Sequence, residues 1–212
     1  MLAIDIEKTY QNFNLKIDFR IENEVLVLLG PSGSGKSTIL NCISGIIQPD
    51  AGKIKINGQI VFDSNHQKNL SVKKRKTGHV FQSYALFPHL SVENNIKYGL
   101  KNHENTMTEN EVNSLVEKFG IKHLLDKYPH QLSGGESQRT AVARSLVIKP
   151  KLLLLDEPFT ALDNQTKENL YEQFFKIKTD WDIPIVLITH DEREAEYLGD
   201  KIIRINNGKR LY

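Results

Sequence analysis

Two hydrophobic rhythms alternate along the chain. Near its start Leu2, Ile4 and Ile6 are separated by polar neighbours, as are Phe13, Leu15, Ile17 and Phe19. A period of two puts every second side chain on one face, which predicts strands with one buried and one wet side. Ile54 and Ile56 repeat the pattern, and the Asn57–Gly58 turn signal then sends the chain back through "QIVF". These segments predict a small antiparallel sheet. Other apolar runs are unbroken: "VLVLLG" ending at Gly30, "LLLLDE" ending at Glu157 and "IPIVLITH" ending at His190. Such runs suit parallel strands buried on both faces. Each precedes a helical stretch, from Lys36 to about Ile47, from Asn164 to Lys178 and from Glu192 to Leu198. Strand–helix alternation of this kind predicts an α/β fold with a mostly parallel sheet.

Between Gln82 and Ser133 the rhythm becomes helical. "SVENNIKYGL", "TENEVNSLVEKFG" and "IKHLLDKY" read as short helices, and Thr108 and Glu111 have capping-box spacing. The expected organisation is one domain over 1–212. Residues 1–82 and 132–212 form its core with the antiparallel part, and 83–131 form a helical subdomain inserted into it. "KKRK" at 73–76 is the one charge run and reads as a solvated turn. "IIRINNGKRLY" reads as a hairpin.

Composition narrows the class. The 212 residues carry a net charge of +2, too little for a nucleic-acid footprint, so no nucleic-acid partner is expected. A single cysteine, Cys42, excludes an internal disulfide framework and reads as a small buried apolar residue. The N-terminus has no signal-peptide pattern, and no apolar run approaches the roughly 20 residues of a membrane helix. Work at a membrane would then require another protein to hold the chain there.

The stretch "GPSGSGKST", Gly30 to Thr38, sits between a buried strand and a helix. It matches the phosphate-binding pattern G-x-x-x-x-G-K-[ST]. Gly33 and Gly35 let the backbone curl so that N–H groups point inward, and Pro31, Ser32 and Ser34 complete the nest. The following helix adds the positive end of its dipole. Lys36 supplies a mobile charge for the β- and γ-phosphates, and the Ser37 hydroxyl is a candidate Mg²⁺ ligand. Kinases, GTPases, helicases and transport ATPases all use such loops. The matching carboxylates stand at the end of "LLLLDE": Asp156 as a metal holder and Glu157 as the group that polarises an attacking water.

"LSGGESQR" at 132–139 is a second anion site. Ser133 and Glu136 have capping-box spacing, so a helix should start here and run to Lys149, stopped by Pro150. Gly134 and Gly135 leave its first turn bare. Either both phosphate-binding elements fold onto one nucleotide, or the second serves a nucleotide held by another copy.

Taken in order, "GPSGSGKST", "VFQ" ending at Gln82, "LSGGE", "LLLLDEP", "ALD" ending at Asp163 and "ITHD" with His190 resemble the ATP-binding subunits of ABC transporters over nearly the whole chain. Glu136 where the family often has Gln, and "TALD" for the commoner "SALD", are small departures. The resemblance implies an ATPase that uses ATP and Mg²⁺ in a head-to-tail dimer. Each ATP would lie between one copy's Lys36 loop and the other's Ser133–Gly135 and Glu136. By the same resemblance Gln82 senses Mg²⁺ and the attacking water, His190 contacts the γ-phosphate and Asp163 reaches across the interface. Tyr10 stands where the family places an adenine-stacking aromatic, although it reads equally as a strand-end tyrosine.

"SYALFPHL" at 83–90 is unusually apolar for a loop. Pattern alone allows core packing or a docking surface. The resemblance favours docking of transmembrane permease subunits near 83–99, and it implies a peripheral location on the cytoplasmic side of the membrane. "GHVFQSYALFPHLSVENNIKYGL" is most similar to importer subunits, above all those for molybdate, which implies a separate extracytoplasmic binding protein. Export or lipoprotein release is the alternative that shares every catalytic motif.

Overall fold

The computed structural model describes residues 1–10, 13–101, 106–160 and 164–211, with side chains between 164 and 181 described at 167, 168, 170–172, 174, 175 and 178–181. In chain order the elements are β1 (Leu2–Tyr10), β2 (Phe13–Ile21), β3 (Val25–Leu29), α1 (Lys36–Ser44), β4 (Ala51–Ile56), β5 (Gln59–Asp63), β6 (Lys68–Asn69), α2 (Val72–Arg75), β7 (Thr77–Val80), α3 (Val92–Lys97), α4 (Glu109–Lys118), α5 (Gly134–Leu146), β8 (Leu152–Asp156), α6 (Asn164–Trp181), β9 (Ile185–Thr189), α7 (Glu192–Leu198), β10 (Lys201–Asn206) and β11 (Lys209–Leu211).

All the strands join one sheet in the order β6-β5-β4-β1-β2-β11-β10-β3-β9-β8-β7. The unbroken apolar runs β3, β9 and β8 form the centre of the parallel side, β10-β3-β9-β8-β7. The alternating segments form the antiparallel side, β1 with β2 and β4, and β4 with β5. The terminal hairpin stitches the two halves: β11 runs antiparallel to β10 and meets β2 in parallel at Lys209↔Lys16.

The two faces of the parallel strands explain their unbroken hydrophobicity. Val25, Val27 and Leu29 point into a core shared with α3, α4, α5 and α6, whereas Leu26 and Leu28 point into a second core under α1 and the antiparallel strands. Leu153 and Leu155 against Leu152 and Leu154 divide the same way. Strands with no wet face have no position for a polar residue until they end. That is why the chemistry sits at their carboxyl tips.

Several element bounds differ from expectation. α1 stops at Ser44, because Gly45 turns left-handed (φ 87°) and returns its N–H to the Asn41 carbonyl. α5 stops at Leu146, and Lys149 takes φ 45° ahead of Pro150. α6 continues to Trp181. "IKHLLDKY" makes a 3₁₀ turn at Lys122–Leu124 and no longer helix. The carbonyls of Leu125 and Lys127 are spent on the N–H groups of Glu93 and Val92 at the start of α3. Both expected capping boxes form, Thr108 with Glu111 and Ser133 with Glu136.

The basic run at 73–76 corrects the expectation of a solvated turn. Its lysines are solvated, but Arg75 is 1% exposed. Its guanidinium donates to the carbonyls of Cys42 (2.7 Å), Ile43 (2.9 Å) and Leu70 (3.0 Å) and to Asn69 Oδ1 (2.7 Å). Cys42 and Ile43 are in the last turn of α1, so a buried cation closes the negative end of the helix that begins at the phosphate loop. A β-carbon at position 45 would come within 2.5 Å of Arg75 Nε, so the glycine makes room for the cap. Arg75→Met should cost about 3 kcal/mol of folding stability, because three carbonyls lose their donor inside the protein. Urea unfolding checks this, and a loss below about 1 kcal/mol would mean water replaces the guanidinium.

Candidate active site

Three neighbouring strands, β3, β9 and β8, deliver the predicted chemistry to one edge of the sheet. β3 runs into the loop Gly30–Thr38, β8 ends in Asp156 and Glu157, and β9 ends just before His190.

The loop's glycines are required by geometry. Gly33 and Gly35 have φ 77° and 104°, and a β-carbon at 35 would come within 2.5 Å of the Phe13 ring. A β-carbon on Gly30 would lie 2.1 Å from the Ile205 carbonyl of β10. The terminal hairpin also grips the loop directly: Gly208 N–H donates to the Ser34 carbonyl at 3.0 Å. Inside the curl, Lys36 is 4% exposed. Its Nζ donates to the carbonyls of Gly30 (2.7 Å) and Pro31 (2.8 Å). Burial pulls its pKa down from the usual lysine value, and the charges of Glu157 and Asp156 pull back.

The acidic pair is divided by environment. Asp156 Oδ1 accepts from the Ser37 hydroxyl at 3.2 Å. Burial pushes its carboxyl above the usual range, and the Ser37 bond works against that shift. Glu157 takes φ 46°, a left-handed backbone rare outside glycine and common where function stores strain. Its Oε2 accepts from Gln82 Nε2 (3.2 Å) and Thr160 Oγ1 (3.2 Å), and His190 Nδ1 lies 3.5 Å away. Gln82, Glu157 and His190, from three separate loops, therefore meet at one carboxylate oxygen.

Between these groups lies an open cleft of about 830 Å³. It is lined by Pro31, Ser32, Gly33, Gly35, Lys36, Ser37 and Thr38 of the loop, by Gln82, Glu157 and His190, and by Tyr10. Gly30, Ser34 and Asp156 are not among its lining residues. Two further residues line the cleft that sequence patterning did not single out, Phe13 and Thr160. The Phe13 ring lies 6.3 Å from that of Tyr10. The alternation of residues 13–19 marks Phe13 as a strand residue, and Thr160 has only its neighbour Glu157 as a signal.

Ser133, Gly134, Gly135 and Glu136 are absent from this lining. They open α5, where the Ser133 hydroxyl accepts from Glu136 N–H at 3.3 Å and the Glu136 carboxylate accepts from Ser133 N–H at 2.7 Å. That backbone bond holds the Glu136 carboxyl below its usual range. Asp163 lies outside the described residues.

The arrangement is a glycine-curled loop around a buried cation, facing a held carboxylate. A family model described as ABC transporter matches residues 10–160. The chain belongs to the ABC transporter family. The molybdate/tungstate import ATP-binding protein WtpC of Archaeoglobus fulgidus is 46% identical over 98% of this chain and 84% of its own length. WtpC of Methanocaldococcus jannaschii is 43% identical over 99% of this chain and 69% of its own length. The molybdenum import ATP-binding protein ModC of Haemophilus influenzae is 39% identical, and there the chain spans 58% of the relative. The ATP-binding cassette MJ0796, solved as a post-hydrolysis dimer bound to ADP and Pi, superposes with a TM-score of 0.83 at 30% identity, covering 100% of this chain and 97% of that one. CbiO1 from Clostridium perfringens gives the same TM-score at 28% identity, covering 100% of this chain and 86% of its own. As an ABC ATPase the chain binds ATP, and its reaction is ATP hydrolysis. No helix among the described residues of this ABC subunit is long and apolar enough to cross a membrane.

Proposed function

We propose that the cleft is the ATP site of an importer subunit, and that a second copy completes it. The observation that carries this reading is the separation of the two phosphate-binding elements. The loop Gly30–Thr38 lines the cleft and the bare helix start at Ser133–Gly135 does not. A head-to-tail pairing brings that helix start to a partner's triphosphate, where its N–H groups and dipole complement charge. Glu136 contributes by holding the cap, since its carboxylate is spent on Ser133 N–H. Asp163 is proposed to reach across the same interface. Tyr10, with Phe13 beside it, is proposed to take the adenine ring.

The residues fit Mg²⁺ as the metal. Ser37 and Asp156 offer oxygens 3.2 Å apart with Gln82 nearby, and the Asp156 carboxyl is pushed up by burial that a cation would offset. Among the described residues no cluster of three or more His, Cys, Asp or Glu forms a metal cage, which suits an ion that takes few protein ligands and shares phosphate oxygens. When bound, Mg²⁺ would neutralise negative charge on the triphosphate. Lys36 releases its two carbonyls and turns its charge to the same phosphates. Glu157, its Oε2 held from three sides, accepts a proton from the attacking water, and Gln82 and His190 orient that water and the γ-phosphate.

The resemblance to molybdate and tungstate importers supports an oxyanion as cargo, membrane permeases docking near 83–99, a binding protein that delivers the cargo, and a peripheral place on the cytoplasmic face of the membrane. It also supports the division into a core, 1–82 and 132–212, and an inserted helical part, 83–131. Sharing of the site is tested by mixing: Ser133→Arg and Lys36→Ala proteins, each inactive alone, should together regain part of the ATPase rate. Absence of complementation would confine the site to one chain. Co-expression with the neighbouring membrane and binding subunits, then screening of molybdate, tungstate and sulfate for ATPase stimulation, tests the cargo.

A further inference from the structure

The segment after Gln82 holds two successive non-glycine residues in the left-handed region, Tyr84 (φ 60°) and Ala85 (φ 45°). Each is strained for an L side chain, and such strain persists only where the surroundings impose it. Tyr84 N–H closes a turn on the Phe81 carbonyl at 2.8 Å, and Arg144, in the last turn of α5, grips the two strained residues. Its Nη1 donates to the Ala85 carbonyl at 2.7 Å and its Nη2 to the Tyr84 carbonyl at 2.9 Å. The same guanidinium lies over the Phe87 ring, 5.3 Å from its centroid. Beyond Phe87 the segment is fastened differently. Asn95 of α3, fully buried, accepts from Phe87 N–H at 2.8 Å and donates to the carbonyls of Phe87, Leu90 and Ser91. The loop is thus fixed to α3 at its far end and to α5 by Arg144 at its near end, directly after Gln82.

We propose that Arg144 is a positioning residue for hydrolysis: its planar fork holds the strained Tyr84–Ala85 backbone to α5 and thereby sets Gln82 against Glu157. The inference rests on the reading of Gln82 given above. Ser133 caps the start of α5, so the helix that faces a partner's nucleotide also carries, at its other end, the clamp on the loop that carries Gln82. A fork that grips two carbonyls at once is a task for Arg, since a compact ammonium lacks the planar geometry.

The test is steady-state ATPase kinetics on the full chain. Arg144→Gln should lower kcat on the order of tenfold and leave KM for ATP within about twofold, because the phosphate cradle is untouched and only the geometry beside Glu157 is lost. Adding Ala85→Gly should recover most of that rate, since glycine adopts the left-handed shape without a clamp. It also removes strain that would otherwise act against folding of the single variant. An unchanged kcat, a KM rising in step with the fall in kcat, or a double variant no faster than Arg144→Gln would each overturn the inference. Gln82→Ala, measured alongside, separates the two ideas. If Gln82→Ala slows turnover and Arg144→Gln does not, the clamp alone fails. If Gln82→Ala leaves turnover intact, the Gln82 reading fails, and amide exchange then judges the clamp. Exchange across Tyr84–Phe87 should quicken on the order of tenfold in Arg144→Gln, and unchanged exchange sinks it.

Discussion

Glu157→Gln should slow ATP hydrolysis on the order of 1,000-fold while ATP affinity stays within about threefold. The substitution keeps the volume of the side chain and removes its basicity. Three neighbours hold Oε2, namely Gln82, Thr160 and His190, so the glutamine amide enters a site already shaped for it. The left-handed backbone at φ 46° is set by the end of β8, where Glu157 N–H donates to the Ile188 carbonyl at 3.1 Å. What disappears is the acceptor for the water's proton, and with it the reaction rather than the binding. Binding without turnover leaves ATP in place, so the variant should accumulate as an ATP-bound dimer on size-exclusion chromatography. Turnover equal to that of the unaltered protein would remove Glu157 from the chemistry.

Lys36→Ala is expected to act on the other side of the balance, weakening ATP affinity on the order of 100-fold. The ammonium is 4% exposed and sits inside a curl of backbone, where water screens it poorly. Burial lowers its pKa, yet Asp156 and Glu157 nearby favour its charged form. Its present partners, the Gly30 and Pro31 carbonyls, are neutral, so a phosphate is a better acceptor and the charge transfers to it at little cost in desolvation. Calorimetric titration with ATP measures the loss. An unaltered dissociation constant would mean that the backbone N–H groups alone hold the triphosphate.

Much of this was legible without coordinates, and the reasons differ by element. The phosphate loop is contiguous, so its spacing and its glycines carry the whole signal. Strands β3, β8 and β9 were legible because burial on both faces leaves no polar position within them. The boxes at Thr108 and Ser133 were legible because a cap and its partner are three residues apart. The basic run at 73–76 is not legible as a cap, because charge in a sequence says nothing of what folds over it. Arg75 finds the end of α1 only in three dimensions. The terminal hairpin was recognised as a hairpin, but its contacts with Gly30 and Ser34 join residues at opposite ends of the chain. Phe13 was read as a strand residue and also walls the cleft.

The order of residues alone determined the fold class, the glycine curl after β3 and the acids at the end of β8, because each of these is a local pattern: a rhythm of burial, a run of turn-permitting glycines, a strand that ends in charge. Which groups touch was settled by tertiary structure. Gln82 and His190 join the sequence neighbour Thr160 at one oxygen of Glu157, and the Arg144 fork grips the loop behind Gln82, because sheet order and helix packing bring segments distant in the chain together. Hydrogen bonds act over about 3 Å and depend on direction, so they follow from the folded path of the backbone and leave no periodic mark in the sequence.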